Sequence, residues 1–182
     1  VLNLYRSTFT DMVPIWITAG GGSAAQSLRD ATIDNNFFYI LPSFGASQFS
    51  EMQYVSGIAA GVLNLLLRGR QYTTGSTEDA YLGQLNGFTN QWAIIRLDNG
   101  AETSLTSGAL TPVNGDTYYF EVSGTTLTLK QNGATLGSTT DATYSSGDAG
   151  FSIFNNSAFL CDNWRGGDLA AGITRQMMQH HR

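Results

Sequence analysis

Over 117–122 and 126–130 apolar and polar positions alternate. Tyr118, Phe120, Val122, Leu127 and Leu129 form one set, and Thr117, Tyr119, Glu121, Thr126, Thr128 and Lys130 the other. A period of two is the signature of strands with one buried face. Ser123-Gly124 turns the chain between these stretches, and Asn132-Gly133 leads into a further strand over 134–139. Upstream, 93–98 and 101–106 flank Asn99-Gly100. Asn-Gly supplies the two positive-φ positions of a type I′ turn, so both pairs predict β-hairpins. The region 92–139 reads as an antiparallel meander.

The flanks carry the same pattern less cleanly. Strands are predicted over 48–55, 62–70, 80–85, 150–154 and 158–164. In 62–70, Leu63, Leu65 and Leu67 share one face, while Asn64, Arg68 and Arg70 lie opposite, interrupted by Leu66. Only 23–29 and 173–181 have helical character, the latter from Ile173 and Met177 four apart. Many short strands with almost no helix predict an all-β chain, a two-sheet antiparallel β-sandwich of jelly-roll type. A length of 182 residues suits one domain over 1–169, followed by a tail over 170–182.

Charge narrows the partners. Fourteen acidic residues against nine Lys plus Arg leave a net charge of −5. That excludes the basic surface nucleic acid requires and a polybasic contact with a membrane. No apolar run approaches ~18 residues, so membrane insertion is not expected. The single cysteine, Cys161, cannot form an intrachain disulfide and is expected as a small buried hydrophobe. Residues 1–6 show no secretory leader, so the expectation is either a leader already removed or exit by another route.

One stretch has a recognisable motif. Asn114-Gly115-Asp116, then Glu121-Val122-Ser123-Gly124 and Leu127-Thr128-Leu129, resemble the signature of LamG-like domains of the concanavalin A-like lectin/glucanase superfamily. Asn132-Gly133, Asp141 to Gly150, and Asp162-Asn163-Trp164 before Gly166-Gly167 continue the resemblance, as does Phe44-Gly45-Ala46 upstream. It spans roughly 40–168 and is weakest over the first 35 residues. It implies a two-sheet jelly roll whose concave face or loop rim can hold a saccharide. A fold of this kind hosts lectins, glucanases and structural proteins alike, so it does not select among them.

The residues favour binding over catalysis. Glycoside hydrolysis needs two carboxylates flanking the bond. Glucanases of the resembled superfamily carry E-x-D-x-x-E on one strand, and no such run exists here. Glu78-Asp79 point to opposite faces, and Glu51, Glu102 and Glu121 are isolated. The only histidines, His180 and His181, lie at the extreme terminus. Sugar recognition needs an aromatic platform beside planar polar groups. Arg68, Arg70, Tyr72, Tyr81, Gln84, Trp92 and Arg96 are the candidates, and the same residue types suit a protein interface. Asp34, Asp148 and Asp162 are candidates for a structural calcium ion, which prefers oxygen ligands. Ile173, Met177 and Met178 make the tail a candidate partner-binding segment.

The expected function is therefore a non-enzymatic, lectin-like binding protein. The leading expectation is a structural component of a bacteriophage virion, a capsid decoration or tail protein. It would assemble as a homo-oligomer or with a shell protein, and would contact host polysaccharide. The alternative is a carbohydrate-binding module of a secreted or cell-surface bacterial protein. A degenerate glucanase-like enzyme is the weaker third.

Overall fold

The computed structural model describes residues 17–18, 37–38, 44–56, 61–70, 79–154 and 160–169. They form β1 (Ile17–Thr18), β2 (Phe37–Phe38), β3 (Gln48–Ser56), β4 (Val62–Arg70), β5 (Asp79–Asn86), β6 (Gln91–Asp98), β7 (Ala101–Ala109), β8 (Thr117–Ser123), β9 (Thr126–Gln131), β10 (Ala134–Thr140), β11 (Asp148–Phe154) and β12 (Leu160–Asp168). Beside the short β1–β2 pair stand two five-stranded sheets, ordered β10-β9-β8-β3-β12 and β11-β4-β5-β6-β7. Every neighbouring pair is antiparallel. The all-β expectation holds. The segments 23–29 and 173–181 lie outside the described residues. Among the described residues no helix is long and apolar enough to cross a membrane.

The hairpins form where the turn chemistry places them. Asn99 and Gly100 have φ of 49° and 79°, and Asn132 and Gly133 have 51° and 81°. Alternation then aims Met52, Tyr118, Phe120, Val122, Leu127 and Leu129 of the first sheet at Leu63, Leu65, Leu67, Leu85 and Ile94 of the second, all of them buried. The sheets meet closely at Gly83, where an added Cβ would lie 2.8 Å from Phe120 Cγ and 2.9 Å from Leu129 Cδ1. Cys161 and Trp164 of β12 complete that core, and Trp164 donates its indole N–H to Ser50 Oγ at 2.9 Å.

The end of β12 and the register of β4 differ from the sequence reading. β12 runs on to Asp168 instead of ending near Trp164. Gly166 continues the strand because its bare Cα leaves room for the Trp164 ring, which a Cβ there would approach to 2.7 Å. In β4 the pairing with β5 slips between Leu67 and Arg70, and Arg68 takes φ 50°. A non-glycine residue rarely adopts that region. The slip reverses the direction of the Arg68 side chain, with consequences described below.

Candidate functional site: an amide row on the outer face of the second sheet

Inward pointing of Leu63, Leu65 and Leu67 leaves Val62, Asn64 and Leu66 on the outer face of β4. Register carries that face across the sheet. Asn64 pairs with Gln84, and Val62 with Asn86. Gln91 then stands opposite Asn86, and Ala93 opposite Gln84. On the other side Ser152 stands opposite Asn64. Directly opposed residues of an antiparallel pair have Cβ atoms about 4.5–5.5 Å apart. Asn64, Gln84, Asn86, Gln91 and Ser152 therefore make one uncharged polar patch. The next row of the same face is apolar: Leu66, Leu82 and Ile95, all buried.

The patch has unused hydrogen-bonding capacity. Asn64 Nδ2 donates to Ser152 Oγ at 3.0 Å, but Asn64 Oδ1 is shielded from solvent and accepts nothing. Asn86 Oδ1 accepts from Thr89 N at 3.2 Å and so caps the β5–β6 turn. Among the described residues the Gln84 and Gln91 amides make no hydrogen bond. An unsatisfied buried acceptor costs about 1–3 kcal/mol. Of these five residues only Gln84 was singled out from the sequence. Asn64 was visible opposite the leucines, but the neighbours it acquires depend on strand register, which alternation within one strand does not reveal.

The other residues nominated from the sequence go elsewhere. Arg68 is 2% exposed. Its guanidinium donates to the carbonyls of Ala46, Tyr144 and Gly124, and its own N–H donates to Gln48 Oε1 at 3.0 Å. Tyr81 is fully buried on the inner face beside Gly83 and Leu85. Trp92 is buried between β7 and β10, where added Cβ atoms at Gly108 and Gly137 would meet its ring. Arg68, Tyr81 and Trp92 are thus built into the interior, correcting the expectation that they face a ligand. Parity alone places Tyr81 with Leu85 and Trp92 with Ile94. Tyr72 and the tail residues Ile173, Met177 and Met178 lie outside the described residues.

Arg70, Tyr81 and Arg96 do meet, in a network that fastens the loop 141–147 to one end of the sandwich. Tyr81 Oη donates to Asp141 Oδ1 at 2.6 Å, and Arg96 Nη1 reaches Asp141 Oδ2 at 2.8 Å. Arg96 Nε donates to Asp98 Oδ2 at 2.8 Å, and Tyr144 Oη donates to Asp98 Oδ1. Arg70 lies over the Tyr144 ring at 5.5 Å and donates to Ser146 O at 2.8 Å. Burial raises the Tyr81 and Tyr144 hydroxyls above their usual range. Hydrogen bonds from Tyr144 and Arg96 lower Asp98. Burial alone would raise Asp141, yet bonds from Tyr81, Thr143 and Arg96 hold it down at about 2.

That arrangement sets a pH dependence. A carboxylate depressed in the folded state stabilises the fold at every pH above its unfolded value near 3.9, and the contribution disappears as pH falls through about 2. Asp141 is expected to contribute roughly 2 kcal/mol at neutral pH, from about 1.4 kcal/mol per pKa unit. Thermal melts between pH 5 and pH 2 should therefore fall more steeply for the wild-type chain than for Asp141→Asn. Equal slopes would show that the network does not hold this charge.

The carboxylates of Glu51 and Glu121 lie on the outer face of the first sheet. Arg165 binds Glu51 through two bonds of 2.9 and 2.8 Å, and Lys130 binds Glu121 at 2.8 Å. Phe49 stacks on Tyr119 at 5.3 Å, and Lys130 lies over the Tyr119 ring at 5.2 Å. Tyr119 thus already packs against another ring and a cation. Of the calcium candidates, Asp34 and the Asp162 side chain lie outside the described residues, and Asp148 belongs to β11 opposite Gly69. Among the described residues no group of three His, Cys, Asp or Glu could hold a metal ion.

No protein-family model matches the sequence, and no curated protein matches it. Solved structures match its architecture. The carbohydrate binding module CBM66 from Bacillus subtilis superposes with a TM-score of 0.65 at 15% identity, covering 84% of this chain and 95% of that one. The fold is a two-sheet antiparallel jelly roll. The Caenorhabditis elegans galectin LEC-6 matches with a TM-score of 0.53 at 14% identity, over 70% of this chain and 89% of that one. A β-1,3-1,4-glucanase from a mouse hindgut metagenome matches with 0.50 at 12%, over 73% and 69%. At these identities the likeness is one of fold. The concanavalin A-like architecture is shared by binding modules, lectins and hydrolases, and the LamG-like branch is singled out by no family model.

Proposed function

We propose that this chain is a lectin-like carbohydrate-binding domain that holds its ligand without cleaving it. The ligand site is the outer face of the second sheet at Asn64, Gln84, Asn86 and Gln91. The observation that carries this reading is the row of amides that strand register sets side by side, with Gln84 half-buried, Gln91 exposed and both making no hydrogen bond among the described residues. A saccharide offers hydroxyls that both donate and accept, which suits side-chain amides that do the same. The neighbouring folds support the same reading, since a carbohydrate binding module and a galectin are among them. Binding without hydrolysis is supported by the placement of Glu51 and Glu121. Both belong to the first sheet and are ion-paired there, away from the amide row.

Among the settings expected from the sequence, this favours a module of a secreted or surface protein. The virion setting rests on no residue of the site. Glycan-array screening followed by calorimetry tests the reading. The wild-type chain should bind a set of glycans with no release of reducing ends. Asn64→Ala and Gln84→Ala should each weaken binding by about tenfold, the worth of one ~1.4 kcal/mol hydrogen bond, with melting temperature held. Undiminished binding in both variants would place the site elsewhere.

A further inference from the structure

The two ends of the sandwich differ in charge. At the end that carries the loop 141–147 lie Arg70, Asp79, Arg96, Asp98, Asp141 and Asp168. At the other end, the connections 87–90, 110–116 and 132–133 contain one charged residue, Asp116. Asp116 is buried, and its carboxylate accepts from Val113 N at 2.6 Å, Gln131 Nε2 at 2.7 Å and Asn132 Nδ2 at 2.6 Å.

The same end gathers the apolar side chains left in solvent. The exposed large hydrophobics among the described residues are Val55 at 39%, Phe88 at 51% and Val113 at 60%. All three belong to it: Val55 near the end of β3, Phe88 in the β5–β6 turn and Val113 before β8. Backbone bonds hold these segments in place. Leu110 N donates to Asn90 O, Gly115 N to Tyr54 O and Tyr54 N to Asp116 O, each at 2.8 Å, and Gly87 N donates to Gly61 O at 2.9 Å. Tips fixed in this way lose little freedom on docking.

We propose that this uncharged end is a self-association surface on which a second copy of the chain docks end to end through Phe88, Val113 and Val55. Depletion of charge around exposed aromatic and aliphatic groups is the composition of an interface core. Charge also selects the occupant. Each copy carries a net −5, so two copies repel in most orientations. End-to-end docking puts the charged ends about 30 Å from the contact, from nine residues of β3 at ~3.3 Å each. That is well beyond the ~8 Å screening length at physiological salt. The described connections at this end, 87–90, 110–116 and 132–133, offer a basic partner no exposed acid, whereas a second copy brings a matching apolar, uncharged set of connections.

Sedimentation equilibrium of the full chain over a concentration series tests this. A dimer is expected, undiminished when salt rises from about 0.05 to about 0.5 M, because no ion pair holds it. The double variant Phe88→Asp, Val113→Asp should dissociate at least ~100-fold more readily, as for loss of two central contacts. Its melting temperature should hold, since both side chains are more than half exposed. Hydrogen exchange on the unmodified chain gives a second reading. Amides at 87–90 and 113–115 should slow at high concentration. A monomer throughout, a dimer untouched by the double variant, or concentration-independent exchange at those amides would each overturn the proposal.

Discussion

Trp92→Ala is expected to cost about 3–5 kcal/mol of stability, the range for removing a large buried aromatic side chain. In a chain of this length that lowers the melting temperature by roughly 10 °C or more. The residue is keyed between two sheets. A Cβ at Gly108 on β7 would stand 2.8 Å from its ring, and one at Gly137 on β10 would stand 2.1 Å from it. Neither strand can close if the glycine gains a side chain while the indole stays. Gly137→Ala should therefore destabilise by about 1–3 kcal/mol, the cost of overpacking. The smaller Trp92→Leu should relieve most of that cost in the double variant, a coupling that chemical denaturation can read directly. Additive losses would mean that Gly137 and Trp92 do not compete for the same space.

The second large effect belongs to Arg68. Its guanidinium is buried with carbonyl partners only, and among the described residues no carboxylate pairs with it. Burial accordingly lowers its pKa from the ordinary arginine value. One side chain fastens 44–47, the Gly124 turn and the loop 141–147. Gln48 reinforces the junction by donating to Gly45 O at 2.8 Å and Gly147 O at 2.6 Å. Arg68→Ala is expected to cost about 3 kcal/mol. The gain from removing a buried cation is smaller than the loss of several charge-assisted bonds of about 1.5–3 kcal/mol each. Arg68→Lys should restore little, because a compact ammonium lacks the planar, spread donors that reach the carbonyls of Ala46, Gly124 and Tyr144 at once. A melting temperature within a degree of wild type would refute the clamp. Loss of glycan binding in Arg68→Ala or Trp92→Ala would report unfolding and not contact.

The course of the strands was legible because their signals are local. Asn99-Gly100 and Asn132-Gly133 impose positive φ, and the alternation from Tyr118 to Leu129 fixes one buried face. β4 begins and ends where its leucines predict. Arg68 was misread because a register slip at φ 50° turns it inward, and nothing in Leu67-Arg68-Gly69 announces a slip. Tyr81 and Trp92 were misplaced for a different reason. Their residue types suit a ligand platform, yet parity groups them with Leu85 and Ile94 on the inner face. The amide row is a property of pairing between strands, so Asn64 and Gln91 gain their meaning only once β4, β5 and β6 are side by side.

The most direct test is a glycan titration followed by the side-chain NH2 resonances of the isotopically labelled chain. With a glycan chosen from the array, the account predicts shifts confined to Asn64, Gln84, Asn86 and Gln91, and to backbone amides of β4, β5 and β6. Shifts confined to the Arg70–Arg96–Tyr144 end, or to the Phe49–Tyr119 face, would contradict it.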